Sequence, residues 1–198
     1  GAANVSLELR AFANIDINAP VSATGTGTLT LVADDNNFGV ASRRINIGAA
    51  GGLSTAGQTI SLTGVTLSIT AGGTINSGAG NINVSPSAAS TVGLGAGAGT
   101  MNITDAEFDA FTTSGTLTIG GANATTITVD ALTVPASVSG TVALNAGNAA
   151  GTITFSGGAS STTGPLILTS AGAITQSVGI SGTTLTAKTL NNAGAAIT

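Results

Sequence analysis

A chain of 198 residues with 6% charged and 3% aromatic side chains, 30 glycines and no Cys, His, Trp or Tyr excludes several chemistries at once. Without Cys or His there is no disulfide, thiolate nucleophile, imidazole base or thiolate- or imidazole-bound metal, and a Ser-His-Asp triad cannot be built. A net charge of −4 with only four cationic residues leaves too little Lys and Arg for phosphate contacts, so nucleic acid is not expected as a partner.

The 42% apolar content is too high for a polar disordered polymer, yet no apolar stretch approaches the ~20 residues of a membrane span. The core must therefore be built from Val, Ile, Leu and Ala with a few Phe. The first residue is not Met and no signal peptide precedes the pattern, which reads as a processed chain or a piece of a longer one.

Along the chain, apolar residues alternate with polar ones in short runs. "VSLEL" places Val5, Leu7 and Leu9 on one face. Leu29/Leu31, Ile45/Ile47, Ile60/Leu62 and Val65/Leu67/Ile69 follow, and then Ile82/Val84, Met101/Ile103, Leu117/Ile119 and Ile127/Val129. The series closes with Val142/Leu144, Ile153/Phe155 and Leu166/Leu168. Each run is β-branched, Thr-rich and bounded by Gly, Asn, Ser or Ala, which predicts a short strand. Helical periodicity is nearly absent.

Two stretches concentrate oxygen ligands. "ADDNNFG" at 33–39 carries Asp34 and Asp35, weak calcium candidates that equally suit a turn, since Asp and Asn tolerate left-handed backbone. The basic pair in "SRR" at 42–44 is expected to pair with Asp34 or Asp35 across the same loop, or to face solvent. "TDAEFDAF" at 104–111 holds Asp105, Glu107 and Asp109, the other weak calcium candidates. Thr104 and Glu107 form a capping box, and Phe108 and Phe111 are expected on one face of a single helical turn. Paired carboxylates could hydrolyse glycosides, but the stretch lacks the Lys, Arg, His or aromatic platforms that such sites usually add. No catalytic residue, cofactor site or dedicated metal site is expected, beyond opportunistic calcium.

Other motifs are weaker. "GLGAGAG" at 93–99 lacks the Lys-Ser/Thr ending of a phosphate loop. Thr-x-Thr triplets at 28–30, 116–118, 126–128, 152–154 and 184–186 have irregular gaps, unlike the strict register of ice-binding solenoids. Glycosylation sequons at Asn4, Asn83, Asn102 and Asn123 are expected by chance in so Asn-, Ser- and Thr-rich a chain.

A Gly, a small residue and then apolar–x–apolar recur as "GTLTL", "GNINV", "GTMNI", "GTLTI", "GTVAL", "GTITF" and "GPLIL". Repeats of short strands with small corner residues predict a parallel β-solenoid filling 1–198 as one segment. A sandwich or barrel competes, but would ordinarily use Trp or Tyr and longer strands. At about 20 residues per coil the expectation is roughly nine or ten coils, and at about 4.8 Å per coil a rod about 45–50 Å long.

"NITDAEFDAFTTSGTLTIGGANATTITVDALTV" at 102–134 and "GPLILTSAGAITQSVGISGTTLTAKTL" at 164–190 resemble the repeats of filamentous-haemagglutinin-like proteins. The resemblance covers about half the chain. It implies a right-handed parallel β-helix, export across a Gram-negative outer membrane by two-partner secretion, and an extracellular role at the bacterial surface as an adhesin or filament. The family's N-terminal secretion domain with its Asn-Pro motif is not present, so the segment would be shaft.

The expected function is accordingly a non-catalytic structural shaft. A self-assembling fibre subunit joined end to end through open β-edges is the alternative, and a polysaccharide-binding or polysaccharide-cleaving β-helix the remote one. Expected partners are neighbouring coils or identical copies, and a host or cell-surface receptor or glycan.

Overall fold

The alternating runs become parallel strands, each laid beside the corresponding run of the next pass of the chain. The computed structural model describes residues 4–36, 43–190 and 196–198. The first pass contains β1 (Leu7–Ala11), β2 (Ile15–Ile17) and β3 (Pro20–Ala23), the second β4 (Leu29–Ala33), β5 (Arg44–Ile47) and β6 (Gly52–Thr55). The third holds β7 (Ile60–Gly64), β8 (Thr66–Ile69) and β9 (Thr74–Gly78). Then come β10 (Ile82–Pro86), β11 (Ser90–Gly95), β12 (Met101–Ile103), helical turn α1 (Asp105–Phe108) and β13 (Phe111–Thr113). The remainder is β14 (Thr116–Gly121), β15 (Ala124–Asp130), β16 (Thr141–Ala146), β17 (Thr152–Phe155) and β18 (Ser160–Ser161), followed by β19 (Leu166–Ser170), β20 (Ile174–Gln176), β21 (Ile180–Ser181) and β22 (Leu185–Thr189).

The longest sheet runs β1-β4-β7-β10-β14-β16-β19-β22, every pair parallel. Its register stacks like on like. Leu7, Leu29, Ile60, Ile82, Leu117, Val142, Leu166 and Leu185 form one file, and Leu9, Leu31, Leu62, Val84, Ile119, Leu144, Leu168 and Ala187 the next. Period-2 alternation turns both files inward, and their central members are fully buried. Each buried Leu or Ile contributes about 1.5–3 kcal/mol. The fold is therefore all-β, with parallel strands in stacked sheets, compatible with a solenoid.

Two sequence expectations shift. Val5 is 55% exposed, because pairing begins where the Leu7 N–H meets the Thr28 carbonyl. Successive members of the first file lie 22, 31, 22, 35, 25, 24 and 19 residues apart, so passes are mostly longer than 20 residues. The two longest contain the loop between β4 and β5 and the segment from β11 to β13.

That second segment carries an additional strand. β2-β5-β8 form a second sheet, and a third runs β12-β11-β15-β17-β20, with β12 packed beside β8. On this side both β11 and β12 lie between β8 and β15, where the long sheet has only β10 between β7 and β14. β11 and β12 are parallel neighbours, Gly93 opposite Asn102, although only residues 96–100 connect them. Parallel strands usually need a dozen or more residues to return. The Gly-rich run makes the short return possible: a Cβ on Gly93 would stand 2.1 Å from the Gly97 carbonyl oxygen, and one on Gly97 2.3 Å from that of Thr128.

The remaining side is β13-β9-β6-β3, with a short β18-β21 pair further along. A single apolar core threads all the sheets, with Phe108, Phe111 and Phe155 its largest fully buried side chains.

Candidate functional site: the acidic corner and the Asp34 loop

The acidic stretch is a corner that joins three levels of the stack. Thr104 caps α1, and its hydroxyl accepts from the Glu107 N–H at 3.4 Å while Glu107 Oε2 accepts from the Thr104 N–H at 2.9 Å. The expected capping box is thus present in both directions. The other carboxylate oxygen, Oε1, accepts the Ile69 N–H of β8 at 3.0 Å, and Asp105 Oδ1 accepts the Thr133 N–H at 3.1 Å. The two carboxylates therefore hold backbone donors of levels on either side, where β8 and β12 are not hydrogen-bonded to each other as strands. Asp109 ends the helix and its side chain is exposed.

The helix stops at Phe108, and Phe111 opens β13 instead of continuing the helical face. Pairing of Phe111 with Ile75 of β9 draws the chain out into strand. The two rings still meet edge to face, with centroids 5.9 Å apart at 65°, and both are fully buried.

The second acidic group sits where β4 ends. Asp34 is 1% exposed and has φ of 61°, a left-handed conformation that Asp tolerates. Its Oδ1 accepts from Arg43 at 2.7 Å and its Oδ2 from the Ser87 hydroxyl at 3.0 Å. Arg43 also donates to Asn36 Oδ1. The expected pairing of the basic residues with this loop is seen at Arg43, while Arg44 is exposed on β5. Asp35 pairs with Arg10, which also donates to Glu8 at 2.7 Å. The two carboxylates raise the affinity of the Arg10 guanidinium for its proton, Asp35 the more strongly. Residues 37–42 of this loop lie outside the described residues.

The five weak calcium candidates thus fall in two separate places. Asp34 and Asp35 face guanidinium groups, and Asp105 and Glu107 face backbone N–H groups, leaving Asp109 pointing outward. Among the described residues no group of three or more Asp, Glu, His or Cys is close enough to share a metal ion. An open groove of about 430 Å³ runs between residues 69–74 and α1, lined in part by Thr70, Thr74, Ala106 and Asp109. Of the three carboxylates in the acidic stretch, only Asp109 lines it.

The threonine triplets behave differently from their sequence spacing. Thr126 and Thr128 of β15 stack in register on Thr152 and Thr154 of β17, and Thr154 on Thr175 of β20. Hydroxyl contacts of 3.3 Å and 3.2 Å link Thr152 to Thr126 and Thr175 to Thr154. On the long sheet the outward file reads Glu8, Thr30, Ser61, Asn83, Thr118, Ala143, Ile167 and Thr186, so no continuous threonine array forms there. Among the sequons, the Asn123 amide is held by the carbonyls of Pro86 and Ser87 at 3.1 and 2.8 Å, and Asn102 is exposed.

Sequence reasoning missed the Gly-rich return and the reach of Asp105 and Glu107 into neighbouring levels. The alternating glycines were the available signal for the first. No local signal exists for the second, because Ile69 and Thr133 are 38 and 28 residues away.

No protein-family model matches this chain, and no curated protein or solved structure is significantly similar to it. Among the described residues no helix is long and apolar enough to cross a membrane.

Proposed function

We propose that this chain is a non-catalytic structural shaft of a bacterial extracellular adhesin or surface filament, wound as a right-handed β-solenoid. The observation that carries the reading is the eight-stranded parallel ladder with its two inward files of aliphatic side chains. In such a ladder, interior strands pair backbone N–H and C=O groups on both sides, which suits a stiff spacer. The polar residues support the same role. The carboxylates of Glu8, Asp16, Asp34, Asp35, Asp105, Glu107 and Asp130 are each engaged by another part of the chain. They brace corners and loops and do not converge on a pocket. A receptor or glycan would be presented at a distance by such a shaft.

Labelling of intact, unpermeabilised producing cells with antibody raised against the chain tests the reading. Label along surface filaments is the expected result. Label that appears only after permeabilisation would overturn it.

A further inference from the structure

We infer that the stack has a hinge at one level, where β8 and β12 part and close again about the opposite corner of the coil. The inference deepens the shaft reading by giving the shaft a place to bend, and rests on that reading for its setting.

The seam lies in the interior of the stack, with described levels on both sides of it. Ladders join β2-β5-β8 below it and β12-β11-β15-β17-β20 above it, but none joins β8 to β12. On this flank inward residues donate their N–H forward, as Ile153 does to the Ala173 carbonyl, and outward residues donate backward, as Thr70 does to Ile47. The Ile69 N–H therefore points from β8 toward β12, and the Thr104 N–H points back toward β8. These are donors that a direct ladder would use, and both end on the Glu107 carboxylate instead. A ladder fixes the spacing of two strands at about 4.8 Å. A flexible Glu side chain follows its donors by rotation, or releases one and keeps the other.

The seam has room at both ends. A pocket of about 130 Å³ bounded by Val65, Ser90 and Thr100 lies where β8 and β12 begin. The 430 Å³ groove beside Ile69 and Asp109 lies where they finish.

The other two sides hold at this level. The long sheet runs unbroken through β7-β10-β14, and β9 pairs with β13. The corner between those two sides is tied three times. The Ser114 N–H donates to the Gly78 carbonyl at 2.8 Å, the Thr113 hydroxyl to that of Gly80 at 2.6 Å, and the Thr116 N–H to Asn81 Oδ1 at 2.9 Å. This is the one corner that does not border the flank, so rotation about it opens the flank while straining the two ladders least. A motion absorbed at a few positions around packed, unchanged blocks is a hinge, and a segment with few backbone bonds across it opens before the rest.

The chain has no cysteine, so pairs of spin labels report on the seam directly. Asn46→Cys with Thr128→Cys spans the flank from β5 to β15, and Thr30→Cys with Ala143→Cys spans the long sheet from β4 to β16. Each pair is four strand spacings apart, about 19 Å, and all four positions face outward. Pulsed electron–electron resonance is expected to give a broad distance distribution with a long-distance shoulder for the flank pair, and a narrow one for the long-sheet pair. Adding Glu107→Ala is expected to move the flank pair to longer distance and leave the long-sheet pair in place. Equal widths for the two pairs overturn the inference, as does a flank distribution that Glu107→Ala leaves unmoved. Circular dichroism checks folding of the labelled chains. Where one does not fold, amide hydrogen exchange of the unmodified chain decides. The Ile69 amide is then expected to exchange with little dependence on urea, and those of Ile60 and Val142 in the long sheet only with the full slope of global unfolding. One common slope for all three overturns the inference. Either outcome leaves the intact-cell labelling free to stand or fall independently.

Discussion

Replacement of Glu107 tests whether the acidic corner is a brace. Both carboxylate oxygens face donors, Oε1 the Ile69 N–H and Oε2 the Thr104 N–H, so the position needs two acceptors. Glu107→Ala removes the reciprocal half of the capping box, worth about 1 kcal/mol. It also leaves the half-buried Ile69 N–H without its acceptor, at about 1–3 kcal/mol. The expected loss is about 2–4 kcal/mol. Glu107→Gln is nearly isosteric but supplies one acceptor and one donor, so one backbone N–H must then face an N–H. Gln is accordingly expected to cost at least half as much as Ala. Urea denaturation followed by far-UV circular dichroism measures this, and with a slope of about 2 kcal/mol per molar a loss of 3 kcal/mol moves the midpoint by about 1.5 M. Asp109→Asn, at the exposed end of the same turn, should stay within about 0.5 kcal/mol of the unmodified chain. Near-native stability of Glu107→Ala, or equal losses for Glu107→Ala and Asp109→Asn, would refute the reasoning.

Further outcomes follow from the same geometry. Phe108→Ala and Phe111→Ala each empty a fully buried ring site and should cost about 3–5 kcal/mol in the same urea assay. Arg43→Ala removes the cation bonded to the buried Asp34 carboxylate and should cost about 3–5 kcal/mol, whereas Arg44→Ala, on an exposed side chain, should cost under about 0.5 kcal/mol. Gly93→Ala drives a methyl group into the Gly97 carbonyl; amide hydrogen exchange is expected to show lost protection in residues 90–103 first. Calcium titration followed by thermal melting is expected to leave the midpoint unchanged, because Asp34 and Asp35 already face guanidinium groups and Asp105 and Glu107 backbone N–H groups; a midpoint that rises with calcium would show a site that binds the folded chain.

The strands were legible because alternation is local. Leu29/Leu31, Ile82/Val84 and Ile153/Phe155 can each be read from three residues, and all six are buried. The capping box at Thr104 and Glu107 was legible for the same reason, since four residues contain both partners. The Arg43–Asp34 pair was within reach because the two lie nine residues apart. Register between passes was not legible. Nothing near Thr126 says that Thr152 will lie beside it, because successive passes differ in length and only packing of the inward files fixes the offset. Phe111 shows the same competition on a small scale: its spacing from Phe108 suits a helix, but pairing with Ile75 wins it for a strand.

The strand added by β12 has a counterpart in crystals, where an extra half-plane that ends inside a lattice is an edge dislocation. Here the lattice is the stack of strands and the half-plane is a single level, present beside β8 and β15 and missing from the long sheet. One flank is longer than the other by one strand spacing, about 4.8 Å, and the mismatch must be absorbed as curvature or stagger of the levels. A stack of identical repeats would curve by the same amount at every level. This one carries a built-in wedge at one height, opened by a run of glycines and held by the carboxylates of Asp105 and Glu107.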